Sequence, residues 1–546
     1  MSRNGSGAAD DQSFAIISRW MHKTLIDWQN VLRLNGKDVF ICEEYIDFTT
    51  NEDHFEKYVL LLSKYCPNLT HVRLLYSGES SDAKLEFGIL KALVQLPNLK
   101  CLSLFDVPKT EIASLSSDFK QLTTLKFVGI AENVTASDFA NVFGSMKNLQ
   151  NVIYEYKSFR ANQIVASLPN AINLKSLTLY YAPESEIKEL RNCNQLEVLH
   201  LYIVDEKLAP DDFLDIFNEK RQLHTLSICL INEKLCVQLS KLDTYCPRLT
   251  YLTINQPLKN LGDFENLKYI RYDANGESSF FDTIKWIENL SIKYADRLEV
   301  FDISSAPNHT HTIEIAKLKC LKAFLCANWS SDMYDSLSQL ENLQLFSMQG
   351  QSDNSNHSNA LISAILHWTN LKYLRLPFDK EIFERLILNL PDVLFRRGFQ
   401  TDSPFILSMA NQNIVAEIED QLKKQPHGNL LQLDWHGQIF AAKLKNLIAS
   451  LSPSETRTEQ EQIYKFPGKA AGDPFDPEDS WLSSMNYKLA LKSCSNRFNL
   501  ENDEELINRC RHFAITNAEY DINNMKSAFN FKYDDIDKQN IYPDTE

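Results

Sequence analysis

Tyr245-Cys246-Pro247-Arg248-Leu249-Thr250-Tyr251-Leu252-Thr253-Ile254 sets the pattern for most of this chain. Leu249 leads a short motif, Leu-x-x-apolar-x-apolar, which Leu252 and Ile254 complete. The motif recurs before it at Leu69/Val72/Leu74, Leu99/Leu102/Leu104, Leu122/Leu125/Phe127, Leu149/Val152/Tyr154, Leu174/Leu177/Leu179, Leu196/Leu199/Leu201 and Leu223/Leu226/Ile228. It recurs after it at Leu267/Ile270/Tyr272, Leu298/Phe301/Ile303, Leu321/Phe324/Cys326, Leu343/Phe346/Met348 and Leu371/Leu374/Leu376. The lead residue is Leu every time, at a mean spacing of about 25 residues.

The second and third apolar positions are two apart, so they share one face of a short strand. Amphipathic segments between the motifs, such as Phe139–Met146, Phe213–Phe217 and Leu361–Trp368, suit return helices. One strand–helix unit cannot bury its apolar face alone, so the units must stack. The period is that of leucine-rich repeats, and the chain resembles a leucine-rich-repeat solenoid of the cytosolic, strand–helix kind. The resemblance implies an α/β fold: a curved parallel sheet on the concave side, helices on the convex side, and a partly helical C-terminal segment. Two repeats open alike, Tyr65-Cys66-Pro67-Asn68-Leu69 and Tyr245-Cys246-Pro247-Arg248-Leu249, and this Cys-Pro-x-Leu junction resembles the cysteine-containing repeats of F-box/leucine-rich-repeat proteins. The chain departs from the consensus in one respect. The Asn or Cys three positions after the third apolar residue is absent almost everywhere, so no stacked hydrogen bonding is expected along that turn.

The N-terminal stretch Ile17-Ser18-Arg19-Trp20-Met21-His22-Lys23-Thr24-Leu25-Ile26-Asp27-Trp28 carries apolar residues at three- and four-residue steps. It resembles the last helix of an F-box. By that resemblance Ile17, Trp20, Leu25 and Trp28 would hold the adaptor of an SCF-type ubiquitin ligase, and the solenoid would select its protein substrate. The Leu-Pro-acidic opening of an F-box is not found in Met1–Gln12. The competing reading is a helix that caps the end of the repeat core, in an interaction scaffold with no ubiquitin role.

Residues 1–12 read as a disordered leader, 13–30 as the F-box-like or capping helix, and 31–395 as the solenoid. Its atypical first repeat has a strand-like run at Val39–Ile41 and a helix at Phe55–Lys64; a last strand is expected at Val393–Phe395. Residues 396–451 are a C-terminal repeat or cap, with a helix at Ile414–Leu422, a strand at Leu430–Trp435 and a helix at Phe440–Leu451. Residues 452–480, with Pro467, Pro474 and Pro477, are a linker. Residues 481–546 are an acidic segment with helical patterns at Tyr487–Leu491 and Glu504–Phe513.

A net charge of −16 argues against a nucleic-acid backbone or an anionic membrane as partner. The eleven Cys have no paired framework spacing and read as small hydrophobes of a reducing setting, cytoplasmic or nuclear. No stretch reaches the ~18 apolar residues of a membrane span. No phosphate loop, nucleophile elbow or His-Glu-x-x-His is present, so no cofactor and no catalysis are expected. The nearest metal-like group, His309 and His311 with Cys320 and Cys326, reads as a solvated turn rather than a metal site. The functional surface should come from the repeat itself. Side chains between the buried positions point away from the core, and on the concave face they place Phe105, Tyr180, His200, Tyr202, Tyr251 and Tyr269 on one wall. Exposed aromatics beside a few charges suit a protein-binding hot spot; the competing reading is that ascending loops or the C-terminal segment cover them, or that they are scattered surface aromatics.

Overall fold

The structure is a computed structural model that describes most residues from 90 to 451, with strand segments 45–46 and 71–76 ahead of them. The leader 1–12, the helix bearing Ile17, Trp20, Leu25 and Trp28, the segments Val39–Ile41 and Phe55–Lys64, the linker 452–480 and the segment 481–546 lie outside the described residues. The described chain divides into two compact units. One runs to Tyr156 and includes Asn170–Asn173; the other holds Lys157–Pro169 and continues from Leu174.

In the first unit, β1 (Tyr45–Ile46), β2 (His71–Tyr76), β3 (Cys101–Val107), β4 (Thr124–Ile130) and β5 (Asn151–Tyr154) pair in chain order, each parallel to the last. The second unit repeats this with β6 (Ser176–Tyr180), β7 (Val198–Ile203), β8 (Thr225–Leu230), β9 (Tyr251–Ile254), β10 (Tyr269–Tyr272) and β11 (Val300–Ile303). It continues with β12 (Ala323–Cys326), β13 (Leu345–Met348), β14 (Tyr373–Leu376), β15 (Phe405–Met409) and β16 (Leu431–Asp434). The return helices are α1 (Ala136–Ser145) in the first unit and α2 (Ala161–Ser167) at the start of the second. Then come α3 (Pro210–Asp215), α4 (Glu233–Gln238), α5 (Leu242–Tyr245), α6 (Phe280–Tyr294), α7 (His309–Ile315) and α8 (Tyr334–Leu337). The last of them are α9 (His357–His367), α10 (Lys380–Arg396) and α11 (Val415–Lys424). Consecutive parallel strands with short helical returns are the leucine-rich-repeat solenoid fold.

The lead leucines set the register. Three residues after each of them, Leu177, Leu199, Leu226, Leu252, Ile270, Phe301, Phe324, Phe346 and Leu374 stand opposite one another on successive strands. All are almost fully buried, and each contributes about 1.5–3 kcal/mol. Where the column turns aromatic the rings stack: Phe301 on Phe324 at 6.0 Å and Phe324 on Phe346 at 5.9 Å. Helix residues close the core from behind. Trp286 of α6 lies between Tyr272 and Phe301, and Trp368 packs on Phe346. The Trp368 indole donates to the Leu337 carbonyl at 2.7 Å, so its polar edge is satisfied inside the core.

The missing consensus Asn does not leave the repeats without stacked hydrogen bonds. They have moved to the residue before the lead leucine. Asn148 donates to the Lys120 carbonyl at 2.8 Å and Asn173 to Lys147 at 2.7 Å in the first unit. In the second, Asn266 donates to Pro247 at 3.0 Å, Asn342 to Lys319 at 2.8 Å and Asn370 to Glu341 at 2.8 Å. In every case the acceptor stands two residues before the lead leucine of the preceding repeat. Cys320, at the same position in its repeat, directs its thiol to the equivalent carbonyl of Asp296 at 3.1 Å. Arg397 reaches the Trp368, Thr369 and Leu371 carbonyls, which serve the same turn.

The strand expected at Val393–Phe395 is a correction: these residues are helical, the end of α10. Phe383, Leu386, Ile387, Leu390, Val393 and Leu394 fall on one helical face and are buried, and Pro391 lies within the helix. The strand of that repeat is β15. Its register, Leu374 opposite Leu407, puts Pro404 where other repeats carry Leu. The first described strand is Tyr45–Ile46; Val39–Ile41 lies outside the described residues.

Candidate functional site: the strand face and the helix lying on it

The face turned away from the return helices carries two rows of side chains, at the second and fourth positions after each lead leucine. Over β9–β14 the first row is Tyr251, Tyr269, Val300, Ala323, Leu345 and Tyr373. This apolar row is covered by the chain's own C-terminal helix, α12 (Gln438–Ser450). Phe440, Leu444, Ile448 and Leu451 recur at three- and four-residue steps and pack on it, with Leu447 and Tyr373 partly buried beside them. The Tyr251 hydroxyl donates to the Ile448 carbonyl at 2.7 Å, and Lys443 lies 5.9 Å from the Tyr373 ring centre. Leu325, from the second row, joins the same cluster.

The start of α12 is fixed by three features. It begins four residues after β16 ends. Gly437 takes φ 65°, in the left-handed region, and a Cβ there would stand 3.2 Å from the Ser408 Oγ. The Phe440 amide donates to Asp434 Oδ2 at 3.0 Å, supplying an acceptor that the first turn of a helix needs.

The second row is polar. Arg271 and Asp302 sit side by side on β10 and β11, Nη1 to Oδ2 3.6 Å, both nearly buried. Ser347, Arg375, Ser408 and Asp434 follow on β13–β16. Ser347 and Ser408 are fully buried, and neither hydroxyl has a hydrogen-bond partner among the described residues.

Of the six wall residues, Phe105 belongs to the first unit and the other five to the second. Phe105 lies on β3 between Leu75 and Val128. Tyr180 and Tyr202 are register partners on β6 and β7. For these three the backbone position alone is described. His200 stands between Thr178 and Ser227. The expectation of an open wall is corrected at three positions: His200 is 2% exposed, Tyr251 2% and Tyr269 5%. For the two tyrosines the reason is α12, under which their rings lie 5.9 Å apart. Lys126 and Arg271, which like His200 stand four residues after a lead leucine, are buried as well. Burial pushes the His200 imidazole down to about 4, and its Nε2 has no hydrogen-bond partner among the described residues. The competing reading, that a C-terminal segment covers these aromatics, holds for Tyr251 and Tyr269, though the sequence did not single out α12 as the cover. The apolar stripe from Phe440 to Leu451 was visible, but a stripe does not say what it packs against.

The strand edge nearest the lead leucines carries alternating charge. Glu299 takes Lys322 at 2.5 Å and Lys268 at 3.3 Å, and Glu197 takes Lys175 at 3.6 Å. His224 lies 4.0 Å from Glu197 with its Nδ1 2.9 Å from the Thr225 hydroxyl. Burial, then the Lys175 charge, holds His224 down to about 4. In the core behind, Lys220 is fully buried between Cys193 and Cys246, and its ammonium donates to the Leu190 and Cys193 carbonyls at 2.7 and 3.1 Å. Burial lowers its pKa to about 8 and raises that of Cys246 to about 12.

Among the described residues no group of three His, Cys, Asp or Glu side chains could hold a metal. His311 caps α7 instead: its Nδ1 accepts the Asn308 amide at 3.0 Å. No described helix is long and apolar enough to cross a membrane.

No protein-family model matches the chain, and no curated protein matches it. Among solved structures it is similar to an internalin from Listeria monocytogenes, at 15% identity and a TM-score of 0.27, over 57% of this chain and 81% of that one. It is also similar to a leucine-rich-repeat protein from Leptospira interrogans, at 15% identity and a TM-score of 0.26, over 69% of this chain and 98% of that one.

Proposed function

We propose that the chain is a non-catalytic protein-binding solenoid whose ligand surface is the strand face. The observation that carries this reading is α12. A protein helix already lies on that face, held by side-chain packing and one tyrosine hydrogen bond. The face therefore has the shape and apolarity to take protein. Tyr180 and Tyr202 in the second unit, and Phe105 by itself in the first, are the residues proposed to meet a partner, while His200 is buried and Tyr251 and Tyr269 form the floor under α12. No nucleic acid, membrane or cofactor enters this reading. A photocrosslinking residue placed at Tyr180 or Tyr202 tests it. Crosslinks to one protein species, lost on Tyr202→Ala at an unchanged melting temperature, are the expected result. A crosslinked nucleic acid, or no adduct in any extract, would remove the reading.

The finer form of this function is the substrate receptor of an SCF-type ubiquitin ligase. It is supported by the helix pattern of Ile17, Trp20, Leu25 and Trp28 and by the Cys-Pro-x-Leu junction, whose Cys246 ends α5 with its thiol buried. Purified full chain mixed with ligase adaptor and cullin should then co-elute as a stoichiometric complex that Trp20→Ala dissolves. Elution of the chain alone would leave the scaffold without a ubiquitin role.

A further inference from the structure

Resting on the protein-binding reading, we infer that α12 is a resident stand-in, and that the face of β9–β15 receives in its place one amphipathic helix of a partner protein. The two rows of this face ask for different things. The apolar row Tyr251, Tyr269, Val300, Ala323, Leu345 and Tyr373 is matched by the stripe Phe440, Leu444, Ile448 and Leu451. The polar row is matched at Asp434, which takes the Phe440 amide, but not at its two serines. Ser347 and Ser408 are fully buried, yet their hydroxyls find no partner among the described residues. A buried hydroxyl without a protein partner is costly. The buried face of α12 offers Phe, Leu and Ile side chains, none of which can satisfy a hydroxyl.

A better ligand is defined by that mismatch. It is a helix with the apolar spacing of α12 and a polar side chain, Asn, Gln or a carboxylate, on the flank facing β13–β15. Such a side chain would hydrogen-bond the serines beside Arg375, whose guanidinium carbon lies 3.8 Å from where a Gly437 Cβ would stand. The tether favours α12 through its high local concentration. The partner offsets that advantage by satisfying the two serine hydroxyls that α12 does not reach.

The experiment uses the full chain and a synthetic peptide spanning residues 436–452. In the wild type α12 blocks the face. In a Leu444→Asp, Ile448→Asp chain it should be released, and the labelled peptide should bind at least roughly tenfold tighter than to wild type. Circular dichroism and hydrogen exchange of β7–β11 verify that the variant is folded. Should it not fold, Gly437→Ala, which strains the start of α12, serves as the released chain. Replacing Ile439, Ala441, Lys443, Lys445 or Ala449 of the peptide by Asn, one at a time, should tighten binding about threefold at one position at least. That gain should vanish in a chain that also carries Ser347→Ala and Ser408→Ala. In the otherwise native chain the same two Ser→Ala changes should slow exchange of the α12 amides. A folded, released chain that ignores the peptide, a peptide series with no gain, or faster α12 exchange on Ser→Ala would each overturn the inference. None of these outcomes bears on the crosslinks at Tyr180 and Tyr202, which test protein binding by itself.

Discussion

Two buried imidazoles and one buried amine make this chain's stability depend on pH at the level of single residues. His200 and His224 are held near 4, below the 6.5 of a free imidazole, so the unfolded chain binds protons first as pH falls. Their contribution is complete above pH 6.5 and is lost on the way down to about 4, about 3 kcal/mol each at most. Lys220 works in the opposite range. Its pKa is about 8 against 10.5 in the unfolded chain, so its own contribution rises as pH climbs from 8 to 10.5, opposed above about 9 by Cys193 and Cys246, whose thiols burial raises to about 11 and 12. Denaturant midpoints from pH 4 to 10.5 check both, and Lys220→Met should remove that rise. Core strand leucines give a larger effect: Leu199→Ala or Leu226→Ala should cost about 2–5 kcal/mol, measured by urea unfolding. Asn370→Ala, which removes only the bond to Glu341, should cost about 0.5–1.5 kcal/mol. These asparagines were legible in the sequence as Asn-Leu pairs at 148/149, 173/174, 266/267, 342/343 and 370/371. They escaped notice because the consensus Asn belongs to the turn after the strand, and here the ladder runs through the turn before it.

At the scale of elements, periodicity located the strands wherever a lead leucine stood and failed where it did not. With Pro404 in that place, the run Val393-Leu394-Phe395 fits a buried strand as well as a helix end. Only the longer stripe from Phe383 decides for α10. The stripe of α12 was legible too, but its destination was not, because docking on β9–β14 is set by residues far away in sequence. The start of α12 is the element most exposed to a single change. Gly437→Ala meets both a positive φ and the Ser408 hydroxyl at 3.2 Å, so it should cost about 1 kcal/mol or more. Hydrogen exchange would place that loss in α12 and leave β6–β8 unchanged.

At the scale of the molecule, each repeat is stabilised by its neighbours, and those of β9–β14 by α12 as well. Phe324 illustrates this, lying between Phe301 and Phe346 at 6.0 and 5.9 Å. Phe324→Ala should cost about 3–5 kcal/mol. The loss of protection should centre on β11–β13 and fade by β7. Native-state hydrogen exchange shows whether it does; uniform loss from β6 to β16 would mean that the second unit opens as one body. The hydrogen-bonded asparagines carry this neighbour rule into evolution. Each rung is addressed to the same carbonyl one turn back, whichever turn that is, so the ladder does not count its own rungs. Excising residues 320–341 would set Asn342 opposite the Asp296 carbonyl that Cys320 uses now. A gene built this way can lengthen or shorten by whole repeats through unequal crossing-over, and the protein can follow without inventing a new joint.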